Sequence, residues 1–179
     1  MTLVVGIDPG LSGALALWDG ATLDIVDMPT TVRRMSKKDR IDLDMAGLNA
    51  IVCGFWSRGV GLVVIERVGG IAKQSASASF NFGYACGPLA MACVCHGLRH
   101  ELVPALTWKG FMSVRGKRAS AVGGEATKAE RDTAILEAGI AVFGRRPEFH
   151  GPRGGLKIDR VEAALIAEYG RRLILGGKT

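Results

Sequence analysis

Apolar positions along the chain follow two rhythms. Leu3, Val4, Val5 and Ile7 run without polar alternation, and so do Leu62, Val63, Val64 and Ile65. Such runs predict strands covered on both faces, as in the middle of a parallel or mixed sheet. Each ends in an acid, Asp8 before the Pro9-Gly10 turn and Glu66 before Arg67. Residues 13–18 predict a second strand, Asp19-Gly20 a hairpin turn and residues 21–28 a third strand, so three antiparallel strands open the chain. Residues 101–105 complete the set as a short fifth strand. A helical period places Leu43, Ala46, Leu48, Ile51, Val52 and Phe55 on one face of residues 41–56, with Asp42 or Asp44 near the start. Residues 80–98 predict a second helix rich in small residues (Gly83, Ala85, Gly87, Ala90, Ala92), kinked or interrupted at Pro88.

Three further helices follow. Thr107 is expected to cap a short one containing Trp108, Lys109 and Phe111. Thr127 begins another, with Glu130 in capping-box register and Ala134, Ile135, Ala138 and Val142 facing inward. The last spans residues 158–175. Residues 29–40, 113–125 and 144–155 are polar, basic or glycine-rich and read as mobile segments, and residues 68–79, small and polar, read as a loop. A helix between the two buried strands allows a right-handed crossover that returns alongside the first, bringing Asp8 and Glu66 together. The bland alternatives are that Asp8 caps its turn and that Glu66 pairs with Arg67 or another base.

At 179 residues the chain is expected to be one domain, 1–179, large enough for a full core. No apolar run reaches the ~20 residues of a membrane helix. The opening residues form a strand and not a leader, so a cytoplasmic protein is expected. Charge alters the picture more. The net +6 is gathered into Arg33, Arg34, Lys37, Lys38 and Arg40, then Arg115, Lys117 and Arg118, then Arg145, Arg146, Arg153, Lys157 and Arg160. One such cluster is ordinarily a solvated face, but three in glycine-rich loops suit a polyanion such as nucleic acid. Cys53, Cys86, Cys93 and Cys95 lack zinc-finger spacing and are expected to be buried thiols, and the three histidines are too scattered to be ligands.

Asp159 and Glu162 stand three apart on the last helix, on the face that continues through Ala163, Ile166 and Tyr169. Acids at a helix start can simply favour its positive end, which suits Asp159 better than Glu162. With Asp8 and Glu66 they make four carboxylates. Mg²⁺ prefers oxygen ligands, and two such ions roughly 3.5–4 Å apart serve phosphodiester hydrolysis. The residues alone therefore point to a metal-dependent nuclease.

Gly6-Ile7-Asp8-Pro9-Gly10, Val64-Ile65-Glu66-Arg67-Val68 and Asp159-Arg160-Val161-Glu162-Ala163 resemble the three acidic motifs of RuvC-type Holliday junction resolvases, in the divergent form carried by bacteriophages. The likeness keeps motif order and extends to residues 103–109. It implies an α/β, ribonuclease H-like fold, a five-stranded mixed sheet with helices on both faces. It also implies a homodimer that nicks four-way junctions or other branched DNA in a bacterial cytoplasm, with no membrane or small-molecule cofactor. Asp8, Glu66, Asp159 and Glu162 match the family's metal-binding acids, for Mg²⁺ with Mn²⁺ able to substitute. Lys109 and Lys128 match its lysines near the scissile phosphate. Arg67, Lys73, Arg115, Lys117, Arg118 and Arg153 are the candidate DNA contacts. The sequence departs from the family at Gly69, where bacterial members carry an aromatic, at Glu162 in place of Asp, and in basic insertions at 115–124 and 145–155. Other readings are a ribonuclease acting on RNA–DNA hybrids and a non-catalytic module that binds branched nucleic acid. A sugar-kinase or actin-like ATPase shares the Gly-x-Asp turn but needs far more chain.

Overall fold

The computed structural model describes residues 2–36, 39–67, 76–114 and 127–176, with backbone only at 76–82. Its centre is a five-stranded mixed sheet built from β1 (Val4–Asp8), β2 (Ala14–Trp18), β3 (Leu23–Asp27), β6 (Leu62–Arg67) and β7 (His100–Pro104), in the order β3-β2-β1-β6-β7. β1, β2 and β3 form an antiparallel meander, while β6 runs parallel to β1 and β7 parallel to β6. The two unalternating runs occupy the two innermost parallel positions. That is why neither strand shows a polar face.

Side-chain alternation splits the core in two. Val5, Ile7, Leu15, Leu17, Val63 and Ile65 meet α1 (Met45–Ser57) and α2 (Ala76–Cys95) on one face. Val4, Ala14, Ala16, Leu62 and Val64 meet α4 (Lys128–Phe143) and α5 (Ile158–Gly176) on the other. α5 lies close against the sheet because its contact stripe is small. A Cβ added at Gly6 would collide with the backbone of Ala163 and Ala167, and one at Gly170 would meet Val64 and Val4. Asp8 and Glu66 continue the alternation of Val4–Gly6 and Leu62–Val64, so both carboxylates point to the α5 side.

Several elements differ from expectation. Residues 29–40 are not all loop: β4 (Thr30–Arg33) pairs with β5 (Arg40–Leu43) as a separate two-stranded ribbon. Ile41 is therefore in a strand, and α1 starts later, with Asp44 as its cap accepting from the amides of Ala46 and Gly47 at 3.1 and 3.0 Å. Thr107 caps nothing, because α3 (Ala105–Phe111) already begins after Pro104. Pro88 lies inside α2 without interrupting it. The Thr127–Glu130 capping box is present, as its spacing predicts. Of the cysteines, Cys93 is buried, whereas Cys53 and Cys95 are exposed.

The 144–155 segment is tied down. It carries a 3-10 turn at Pro147–Phe149, Phe149 is buried, and His150 bridges to Leu156. Among the described residues, no helix is long and apolar enough to cross a membrane.

Candidate active site

The carboxyl ends of β1, β3 and β6 share one edge of the sheet, since Asp8 pairs with Ala14, Ala14 with Asp27, and Ile7 with Ile65. In open α/β sheets, ligands collect at such an edge. α5 arrives there with its first turn. Ala163 and Ala167 fit over Gly6, so Asp159 and Glu162, one turn earlier, stand over Asp8. One ligand oxygen from each of Asp8, Asp159 and Glu162 lies within 4.8 Å of the others.

Among the described residues, nothing fully compensates this charge. Asp8 is approached by the amide of Gly10 only at 3.5 Å, too far for more than a weak hydrogen bond. Burial, then the nearby carboxylates of Glu162, Asp159 and Glu66, push the Asp8 carboxyl well above the ordinary range. Glu162 is also raised, by burial above all, although Lys109 Nζ sits 2.7 Å from its Oε1 and opposes the shift. Asp159 is raised by burial, against the pull of Lys128, Lys157 and the Ser12 hydroxyl. Three half-buried oxygen donors with no His or Cys among them suit a hard divalent cation.

Glu66 lies beside this trio but is not one of the three. Its Oε2 accepts a 2.8 Å hydrogen bond from Trp108 Nε1, and its charge contributes to raising both Asp8 and Glu162. Lys109 lies over the Trp108 ring, 5.0 Å from its centroid. Trp108 thus supports two candidate site residues. Its signal in the sequence was faint: a buried indole N–H needs an acceptor, and Trp108 adjoins Lys109.

Lys109, Lys128, Arg131, Lys157, Asp159 and Glu162 line a cleft of about 530 Å³. Arg67 and Arg153 are exposed on the surface. Lys157 and Arg160 serve the fold itself, because both hold Asp27, at 2.9 and 2.7 Å. Lys73, Arg115, Lys117 and Arg118 lie outside the described residues, as do Lys37, Lys38 and Gly69.

No protein-family model and no curated relative matches this sequence. Among solved structures, the chain is similar to Thermus thermophilus RuvC in complex with a Holliday junction substrate. That match has 16% identity and a TM-score of 0.61, and it covers 100% of this chain and 98% of that one. A second Thermus thermophilus RuvC structure matches at 14% identity and a TM-score of 0.53, over 99% and 98% of the two chains. The fold is therefore the ribonuclease H-like one that the motifs imply, shared with these two RuvC structures.

Proposed function

We propose that this chain is a metal-dependent, structure-selective DNA endonuclease that hydrolyses phosphodiester bonds in four-way junctions or other branched DNA. The observation that carries the reading is the convergence of Asp8, Asp159 and Glu162 at the sheet edge of this fold. A hard divalent cation, Mg²⁺ or Mn²⁺, would supply Lewis acidity at the attacking water and the leaving oxygen. Asp8, Asp159 and Glu162 would hold it, and Glu66, oriented by Trp108, would contribute from one side. Lys109 and Lys128, which both line the cleft, would meet the scissile phosphate, Lys109 by exchanging its bond to Glu162. Arg67, Lys73, Arg115, Lys117, Arg118 and Arg153 would make the phosphate contacts that provide affinity.

The same reading takes the whole chain as one domain and as half of a two-fold dimer, because a four-way junction offers two equivalent strands. The exposed apolar face of α2, with Tyr84, Met91 and Val94 on the outside, supports that assembly. Light scattering is expected to give a dimer at micromolar concentration.

The functional test is incubation with labelled four-way junction, flap, duplex and RNA–DNA hybrid in Mg²⁺, Mn²⁺ or Ca²⁺. Cleavage of branched DNA is expected in Mg²⁺ and Mn²⁺. Ca²⁺, which tolerates looser coordination, is expected to permit binding without cutting. Preferred cutting of the hybrid would make the protein a ribonuclease, and binding without cutting in any ion would make it a recognition module.

A further inference from the structure

Two neighbouring residues of α3 reach two different acids. Trp108 Nε1 donates to Glu66 Oε2 on β6 at 2.8 Å, and Lys109 Nζ meets Glu162 Oε1 on α5 at 2.7 Å. The Lys109 ammonium also stands 5.0 Å from the centre of the Trp108 ring. One short helix therefore links the acid at the end of an inner strand to the acids at the start of α5. Glu66 is outside the trio whose ligand atoms gather within 4.8 Å, although its charge is still felt at Asp8 and Glu162.

A core indole needs an acceptor for its N–H, and any backbone carbonyl would serve. Trp108 is wholly buried among the apolar residues on the α5 side of the sheet, yet it directs that donor at a side-chain carboxylate. Packing on the ring keeps the N–H from turning elsewhere. The bond takes one oxygen of Glu66, and among the described residues no second donor reaches that carboxylate, which leaves Oε1 as a ligand atom. A glutamate ordered in advance has less freedom to lose when an ion arrives. Trp18 donates to Glu168 in the same manner, but Arg171 and Arg172 close that carboxylate from its other sides. The partner of Trp108 is left half open.

Resting on the nuclease reading above, we infer that Trp108 is a positioning residue for the metal centre. Its indole N–H holds Glu66 apart from Asp8, Asp159 and Glu162 and presents a single glutamate oxygen to the cation. Trp108 thereby sets how much metal the protein needs more than how fast it cuts once metal is saturating. Partners that orient a ligand without touching the ion commonly change metal affinity or activity by roughly 10–100-fold.

The test compares the full-length wild type with Trp108→Phe, which keeps an aromatic ring for Lys109 and removes the donor. Junction cleavage followed against Mg²⁺ concentration is expected to need about tenfold more metal for half its maximal rate in the variant. The maximal rate is expected to fall less, by no more than about threefold. A readout without substrate is the ¹⁵N–¹H spectrum of the three indoles, Trp18, Trp56 and Trp108. Added Mg²⁺ is expected to move the Trp108 signal and to leave the other two in place. Trp108→Phe identifies that signal by its loss; if this variant fails to fold, Trp18→Phe and Trp56→Phe identify it by elimination. A folded Trp108→Phe with an unchanged metal requirement would overturn the inference and make the residue structural. So would a Trp108 signal that stays still at Mg²⁺ concentrations that saturate wild-type cleavage. Absence of cleavage by wild type in any ion would instead overturn the nuclease reading, while the indole signal would still report the cation.

Discussion

The two halves of α5 treat the same functional group in opposite ways. Glu168 is the more deeply buried, at 3% exposure, yet its carboxyl lies below the ordinary range. Glu162, less than two turns earlier and more open, lies above it. Burial pushes both up. At Glu168 that push is outweighed by four donated hydrogen bonds, from Arg171 at 2.6 and 3.0 Å, Arg172 at 2.7 Å and Trp18 Nε1 at 2.7 Å. At Glu162 the push is opposed chiefly by Lys109 among the described residues, while Glu66 and Asp159 add repulsion. Depth therefore does not separate a structural acid from a functional one; the supply of donors does. A carboxylate saturated by its own chain closes a core, and one left short invites a cation from outside.

The sharpest way to break this comparison is to neutralise each glutamate in turn and assay junction cleavage in Mg²⁺. Glu162→Gln is expected to lower the rate by on the order of 10²–10³-fold, the scale of losing one charge-stabilising group. Glu168→Gln is expected to change it by less than about threefold once the lower stability is allowed for. Equal losses in the two variants would refute the distinction.

Stability should reverse the order. Glu168→Gln is expected to cost about 2 kcal/mol, moderated because Arg171 and Arg172 can turn towards water. Because the folded value of Glu168 is depressed, its contribution is present above the ordinary carboxylate range and is lost as pH falls through the folded value. Urea titrations at neutral and acid pH should show the variant approaching wild type in acid.

Asp8→Asn should do the opposite, raising the stability of metal-free protein by about 1 kcal/mol at neutral pH, or ~2–4 °C in Tm. The folded Asp8 carboxyl is raised, so the wild type loses stability as pH climbs from about 4 through the folded value. Asparagine cannot ionise, so the gain should vanish below that window. Addition of Mg²⁺ should narrow the gap by stabilising only the wild type. A destabilised variant at neutral pH would mean that Asp8 is satisfied within the fold.

The smallest effect is expected at Asp27. Its carboxyl is held low chiefly by Arg160, then by Lys157, and it is about one-third exposed. Asp27→Asn should cost roughly 0.5–1 kcal/mol, again lost in acid, and slow cleavage a few-fold by loosening the start of α5. Thermal melts at pH 7 and pH 3, with parallel cleavage assays, check both.

How far the sequence was legible follows from the range of the forces involved. Unalternating apolar runs ending in acids located β1 and β6, because burial on both faces leaves a local mark. The i, i+3 spacing located Asp159 and Glu162 on one face for the same reason. The β4–β5 ribbon was not legible. Thr30–Arg33 and Arg40–Leu43 are short, mostly exposed and charged, so they carry almost no periodic signal. Nor was the role of Trp108, whose partner is 42 residues away, or the anchoring of Lys157 and Arg160 by an aspartate 130 and 133 residues earlier. Partners that distant in sequence leave no trace in spacing. Arginines destined for internal pairing read the same as arginines destined for a phosphate.

Gly6 carries no charge and touches no substrate, but it sets a limit on how this protein can vary. It is the point where strand and helix backbones nearly meet, so a methyl group there forces α5 outward at Ala163 and Ala167. All three carboxylates would survive such a change, and the fold could still form around a slightly thicker interior. What would be lost is their common vertex, since displacements near 1 Å can cost on the order of 10²-fold in rate. Gly6, Ala163 and Ala167 therefore constrain one another as a single packing unit. An assay would score their divergence as a dead active site, although every reactive group remained in place.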